Sequence, residues 1–360
     1  MPTILVLNNY SLERVWGEVK RGEKPNHHLF GIDYFYKKGY EVKIIPFQSS
    51  RMFQFIQRYC SKTKLPIPMG DLDQQCSALR LLNQADLIYA PCQTQTHLLC
   101  YLRAMGLIKT PIVCLAHHLL VMGGRLDAIR MPFYKLFIRG CSAFPSLSKL
   151  VAGEINTLAY PADKSRVVQW GPDVDYYKYA PSIGRKIVAA GRTGRDFDTF
   201  GFAASNSRVE TVIICPQHSV SVEFSKFGNN VQVISGEQEE HISYKKLYDY
   251  YSDARAIAIP LHDQVSLAGL ASLMDAIGMG KPVIMTRSPF IDLDIEALGI
   301  GKWIMPGDLR GWHDAIQWFE DHEEESLIMG VRARKLADQG LNSASFANQI
   351  MDIFERILKR

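Results

Sequence analysis

Residues 250–287, YYSDARAIAIPLHDQVSLAGLASLMDAIGMGKPVIMTR, limit the chain to very few folds. Residues 256–259 and 282–285 are continuous apolar runs without polar alternation, the pattern of strands buried on both faces of a parallel sheet. Between them a short polar loop, 262–266, leads into an apolar helix over 267–279 that Gly280 stops, and this segment is long enough to cross over a sheet. Ligands of such sheets gather outside the carboxyl ends of the strands, where helix N-termini offer free amides to phosphate. The polar loop lies at that end.

The same rhythm runs through the whole chain. Strands over 3–7, 41–46, 86–90, 111–116, 143–146 and 166–169 alternate with helices over 27–38, 53–59, 73–83 and 94–105. Residues 8–26, with Gly17, Gly22 and many charges, read as a long polar loop of the kind that carries function. Residues 170–182, WGPDVDYYKYAPS, have the Pro, Gly and aromatic content of a linker. Strands over 186–190, 211–215, 231–234, 256–259 and 282–285 then suggest a second parallel sheet, and helices over 309–321, 324–339 and 343–358 close the chain. A length of 360 residues suits two cores. The expected architecture is α/β, with two Rossmann-like doubly wound domains over 1–178 and 179–338 and a cleft between them.

Composition narrows the partners. Residues 1–180 carry 22 Lys and Arg against 13 Asp and Glu, whereas 181–360 carry 19 against 24. A basic first half attracts anionic lipid headgroups or acidic substrates, and a solvated surface without a partner is the plain alternative. The basic aromatic segment 126–137, flanked by Arg125 and Arg139, reads equally as a helix resting on a membrane and as an ordinary amphipathic helix. The seven cysteines are scattered through apolar segments, which suits reduced, packed thiols better than disulfides or a zinc site. No apolar run approaches the roughly 20 residues that span a bilayer, and no basic leader precedes the first strand. A cytoplasmic protein is expected, with peripheral contact at the inner face of the membrane as an extension and no nucleic-acid partner.

In IVAAGRTGRDFDTF, Gly191 permits a tight turn after strand 186–190, and Arg192 and Arg195 follow at the start of a helix. Two guanidiniums beside helix-terminal amides can hold a diphosphate and neutralise the charge that grows as it leaves. This turn, an acid on a helix before Gly280-Lys281-Pro282-Val283, and Met329, Gly330, Ala333 and Arg334 in MGVRAR together resemble the GT-B-fold glycosyltransferases. The retaining, nucleotide-sugar-dependent group of that fold fits best. The resemblance is close over the second half and loose over the first.

That resemblance implies further assignments. Residues 339–360 would pack back on the first domain. Asp275 would hold the ribose hydroxyls, while Leu267 stands where many relatives carry a second acid, leaving Asp263, Gln264 and Ser266 as polar residues near the donor sugar. A histidine at the end of a first-domain strand would face that sugar; His117 and His118 both match, and His118 is preferred as more exposed. Gly17 would let the acceptor or diphosphate approach the backbone. The Asp-x-Asp triplets at 71/73, 173/175 and 292/294 lack the setting of the metal-dependent transferase fold, so no metal or cofactor is expected, the UDP or GDP sugar being a substrate. The expected reaction is transfer to a hydroxyl acceptor with retention, as in polysaccharide biosynthesis. An inverting transferase, a nucleotide-sugar epimerase and a non-catalytic nucleotide or glycan binder stay open.

Overall fold

The computed structural model describes residues 1–48, 67–236, 242–262 and 266–359. The chain divides into two compact units, one made of Met1–Gly22, Asn26–Trp170 and Ser343–Arg360, the other of Glu23–Pro25 and Gly171–Asn342.

In the first unit β1 (Thr3–Val6), β2 (Glu41–Ile44), β3 (Leu87–Ala90) and β4 (Ile112–Cys114) form a parallel sheet in the order β2-β1-β3-β4. Every residue of β1, β3 and β4 is buried, as their predominantly apolar sequences favour. A parallel pair, β5 (Phe144–Ser146) and β6 (Ser165–Val167), continues from β4 through the bridges Val113–Ala143 and Ala116–Ser146. The order reverses between β1 and β3, so a switch point opens at their carboxyl ends. The last helix, Ser343–Leu358, belongs to this unit, its Phe354 ring lying 5.1 Å from Phe35 and 5.3 Å from Tyr89.

Two expectations for this unit are corrected. Residues 8–26 are not one loop, because a helix occupies Leu12–Lys20, capped by Ser11 accepting from the Arg14 amide at 3.3 Å. Its charged residues face outward, and Leu12 and Val15 supply the buried side. The helix expected over 27–38 is split into a 3-10 turn, Asn26–Leu29, and a helix, Ile32–Lys37, because Phe30 and Gly31 take φ of 51° and 88°. The helix expected over 53–59 lies outside the described residues.

The second unit has a parallel sheet of β7 (Lys186–Ala190), β8 (Thr211–Pro216), β9 (Val231–Gly236), β10 (Ala254–Ile259), β11 (Val283–Thr286) and β12 (Gly301–Ile304), in the order β12-β11-β10-β7-β8-β9. That is the Rossmann order, with its switch point between β7 and β10. The edge strand β12 was not expected: its sequence GKWI is short and only half buried. Residues 170–182, read as a linker, pack into this unit. Tyr177 is buried, and the Arg334 guanidinium donates to the carbonyls of Tyr177 at 3.2 Å, Gly278 at 2.8 Å and Val174 at 3.1 Å. The units therefore part at Trp170 and Gly171, earlier than the boundary expected after residue 178.

Candidate functional site

The carboxyl ends of β7 and β10 are tied together. Arg195 forms an isolated antiparallel bridge with Leu261, the His262 amide donates to the Gly194 carbonyl at 3.1 Å, and the Asp196 amide donates to the Pro260 carbonyl at 3.2 Å. Gly191 leaves β7 with φ 147°, and a Cβ there would lie 2.4 Å from Arg195 Nε, so glycine alone admits the guanidinium. Asp196 then caps the helix Phe197–Ser205 by accepting from the Thr199 amide at 3.1 Å.

The two arginines of this turn diverge. Arg192 is exposed. Arg195 is buried, its Nε donating to the Ala190 carbonyl at 3.3 Å, Nη1 to the Thr193 carbonyl at 3.2 Å and Nη2 to Ser272 Oγ at 3.0 Å. Burial draws its pKa down to about 10, which leaves it charged at neutral pH. No carboxylate is among those hydrogen-bond partners, so the guanidinium is held by neutral oxygens alone.

Asp275 lies on the helix Leu270–Met279, whose N-terminus is Gly269 in the left-handed conformation and whose C-terminus is Gly280 in the same. Its neighbours Ala268, Ala271 and Ser272 are small, which by itself would leave room for a ligand beside the carboxylate. That space is filled: Asp275 is only 4% exposed, and its Oδ1 accepts from the Tyr177 hydroxyl at 2.6 Å and from the Tyr244 hydroxyl, the two hydroxyls being 3.0 Å apart. Burial raises its pKa to about 6, against the opposing pull of both tyrosines and the Lys24 charge. Ser266 is half buried, with its carbonyl accepting from the Ala268 amide at 2.9 Å. Gln264 and Asp263 lie outside the described residues.

In the first unit, His117 and His118 follow β4, and both their amides donate to Gln93 Oε1, at 2.7 and 3.2 Å, while Gln93 Nε2 donates back to the His118 carbonyl at 2.8 Å. Burial, then the neighbouring His118, lowers the His117 pKa to about 3, and burial lowers that of His118. Both rings are therefore disposed to be neutral. Glu154 accepts from the amides of Leu120 and Val121 at 2.8 and 2.9 Å and so holds the loop beyond them. Gly17 lies within the helix Leu12–Lys20 and not in a loop; a Cβ there would come 3.2 Å from Arg21 Nη1.

No family model matches the chain, and no curated protein matches it. Among solved structures, Anabaena HepE in complex with UDP-glucose is 13% identical over 99% of this chain and 100% of its own, with a TM-score of 0.67. Sucrose-phosphate synthase from Thermosynechococcus elongatus is 12% identical over 100% and 99%, with a TM-score of 0.69. WaaG, a glycosyltransferase involved in lipopolysaccharide biosynthesis, is 15% identical over 98% and 99%, with a TM-score of 0.60. The chain has the GT-B fold.

Several residues of this GT-B chain escaped sequence reasoning. Gln93, Tyr177 and Tyr244 hold the expected site residues from distant segments and carry no local motif. Asn8, just past β1, is 1% exposed and its Oδ1 and Nδ2 are buried without a hydrogen-bond partner among the described residues. A buried amide left so is costly in a fold and useful to a polar ligand. The three Asp-x-Asp triplets serve turns: Asp71 caps a helix through the Gln74 amide, Asp173 accepts from the amides of Asp175 and Tyr176, and Asp294 accepts from the Trp303 indole. Among the described residues no helix is long and apolar enough to cross a membrane.

Proposed function

We propose that this GT-B chain is a glycosyltransferase that moves a sugar from a UDP or GDP sugar to a hydroxyl acceptor, with retention and without a metal ion. The observation that carries the reading is the turn Gly191 to Arg195, stitched to the loop after β10 at the switch point and holding a buried, carboxylate-free guanidinium. The likeness to HepE, solved with UDP-glucose, supports it. The exposed Arg192 meets the diphosphate directly, and Arg195 supplies fixed positive charge from below. Asp275 takes a ribose hydroxyl in exchange for one of its tyrosine hydroxyls. The bond from the anomeric carbon to the departing phosphate oxygen breaks as the acceptor oxygen bonds that carbon, and the acceptor proton passes to the phosphate on the same face. In the first unit, His118 and the amide of Asn8 offer hydrogen bonds to the hydroxyls of an acceptor.

The test is nucleotide release from a panel of UDP, GDP and ADP sugars with hydroxyl acceptors, in the presence of a chelator. Arg192→Ala should lower kcat by about a hundredfold or more, the scale set by removing one donor to a developing negative charge. An unchanged rate would end its role. Leu267 and the occupied Oδ1 of Asp275 favour a second reading, a non-catalytic binder, and tight nucleotide binding with no turnover on any donor would establish it. The reading extends to peripheral contact with anionic membrane through the exposed Met122 and Ile129 beside Arg125 and Arg130, which co-sedimentation of the full chain with acidic vesicles checks.

A further inference from the structure

Three thiols that are far apart in sequence converge inside the first unit. Cys100 on the helix His97–Ala104, Cys114 at the end of β4 and Cys141 after the helix Asp127–Gly140 are all fully buried, and their Sγ atoms lie within 4.8 Å of one another. The convergence is built by the backbone. A Cβ on Gly140 would lie 1.8 Å from the Cys100 carbonyl oxygen, so the glycine lets the two helices meet. The Ser142 amide donates to the Ile112 carbonyl at 2.7 Å and the Cys114 amide to the Ala143 carbonyl at 3.1 Å, which fixes Cys141 beside Cys114. Thr96 Oγ1 lies 3.0 Å from Cys114 Sγ and 3.8 Å from Cys100 Sγ.

We propose that Cys100, Cys114 and Cys141 form a three-thiolate site for a single zinc-like divalent ion, with the Thr96 hydroxyl as the fourth, oxygen ligand. A tetrahedral site with metal–sulfur bonds of about 2.3 Å needs sulfurs roughly 3.8 Å apart, a contraction that rotamer adjustment of buried side chains can supply. Binding releases the three thiol protons to solvent. Cys141 Sγ now donates to the Ile112 and Ala143 carbonyls at 3.2 Å each, but both carbonyls keep the backbone donors named above, so ionising this thiol strands neither. Three thiolates around a divalent ion leave one negative charge. The Lys164 ammonium, 2.6 Å from the Cys141 carbonyl oxygen, stands beside the site to offset it, and a monovalent ion would leave that balance unmet.

Because the sulfurs are fully buried, loading accompanies folding. The full chain is therefore unfolded under reducing conditions and refolded with Co2+ as the probe, then with Zn2+. The site predicts a thiolate-to-cobalt charge-transfer band at one ion per chain, bleached by Zn2+, and a Tm raised by several degrees on loading. Cys114→Ser should abolish the band and Cys76→Ser, outside the cluster, should keep it. Should the Cys114→Ser chain not refold, Thr96→Val is expected to keep the band with altered visible absorption, which a site elsewhere would not show. Absence of both band and Tm shift in the refolded wild type overturns the proposal, as does a band that survives Cys114→Ser.

Discussion

Asp275 shows how one carboxylate couples stability to the candidate site. Its pKa is raised from 3.8 to about 6, chiefly by burial, so the folded chain holds the proton more tightly than the unfolded one. Its contribution to stability is thus full below about pH 4 and is lost as pH rises through about 6. Asp275→Asn keeps an acceptor for Tyr177 and Tyr244 without the charge. It should match the wild type near pH 4 and exceed it at pH 8 by up to about 3 kcal/mol, on the order of 1.4 kcal/mol per pH unit. Denaturant unfolding of both chains at the two pH values measures this, and a difference independent of pH would refute it. His117 titrates with the opposite sign, its stabilising effect being lost as pH falls from 6.5 toward about 3, but it is common to both chains and cancels. The same substitution should weaken nucleotide binding in calorimetry, so that the residue costs stability where it serves the ligand.

At the scale of elements, the turn after β7 is the most constrained piece. Gly191→Ala would press a methyl group into the Arg195 guanidinium at a backbone conformation that side chains rarely adopt. A loss of about 1–3 kcal/mol is expected in thermal unfolding, together with slower sugar transfer; wild-type values for both would mean that Arg195 can be rehoused at no cost. The strands β7, β10 and β11 were legible as continuous apolar runs, and the turn after β7 was legible because Gly191 directly follows such a run. Sequence reasoning missed the inward direction of Arg195, which depends on Ser272 from another helix. It missed the partners of Asp275 for the same reason, Tyr177 and Tyr244 lying 98 and 31 residues away. The helix Leu12–Lys20 was hidden because Leu12 and Val15 are its only fully buried residues, and charges dominate the rest.

For the whole molecule, the decisive feature is that the first unit is closed by the last helix. Phe354 packs against Phe35 and Tyr89 and is itself fully buried. Phe354→Ala should cost about 3–5 kcal/mol, the usual range for emptying such a core position. Hydrogen exchange should show that loss in β1 and β3 while β7 and β10 keep their protection; equal loosening of both sheets would contradict the division of the chain into two units. There is also a consequence for synthesis. A ribosome completes the strands of the first unit early but delivers their covering helix only after Gly171–Asn342 has emerged, on the order of ten to thirty seconds later at about 5–20 residues per second. During that interval Phe35 and Tyr89 lack this neighbour, so the strands of the first unit wait uncovered while the second unit is made, and they are what a chaperone would be expected to guard.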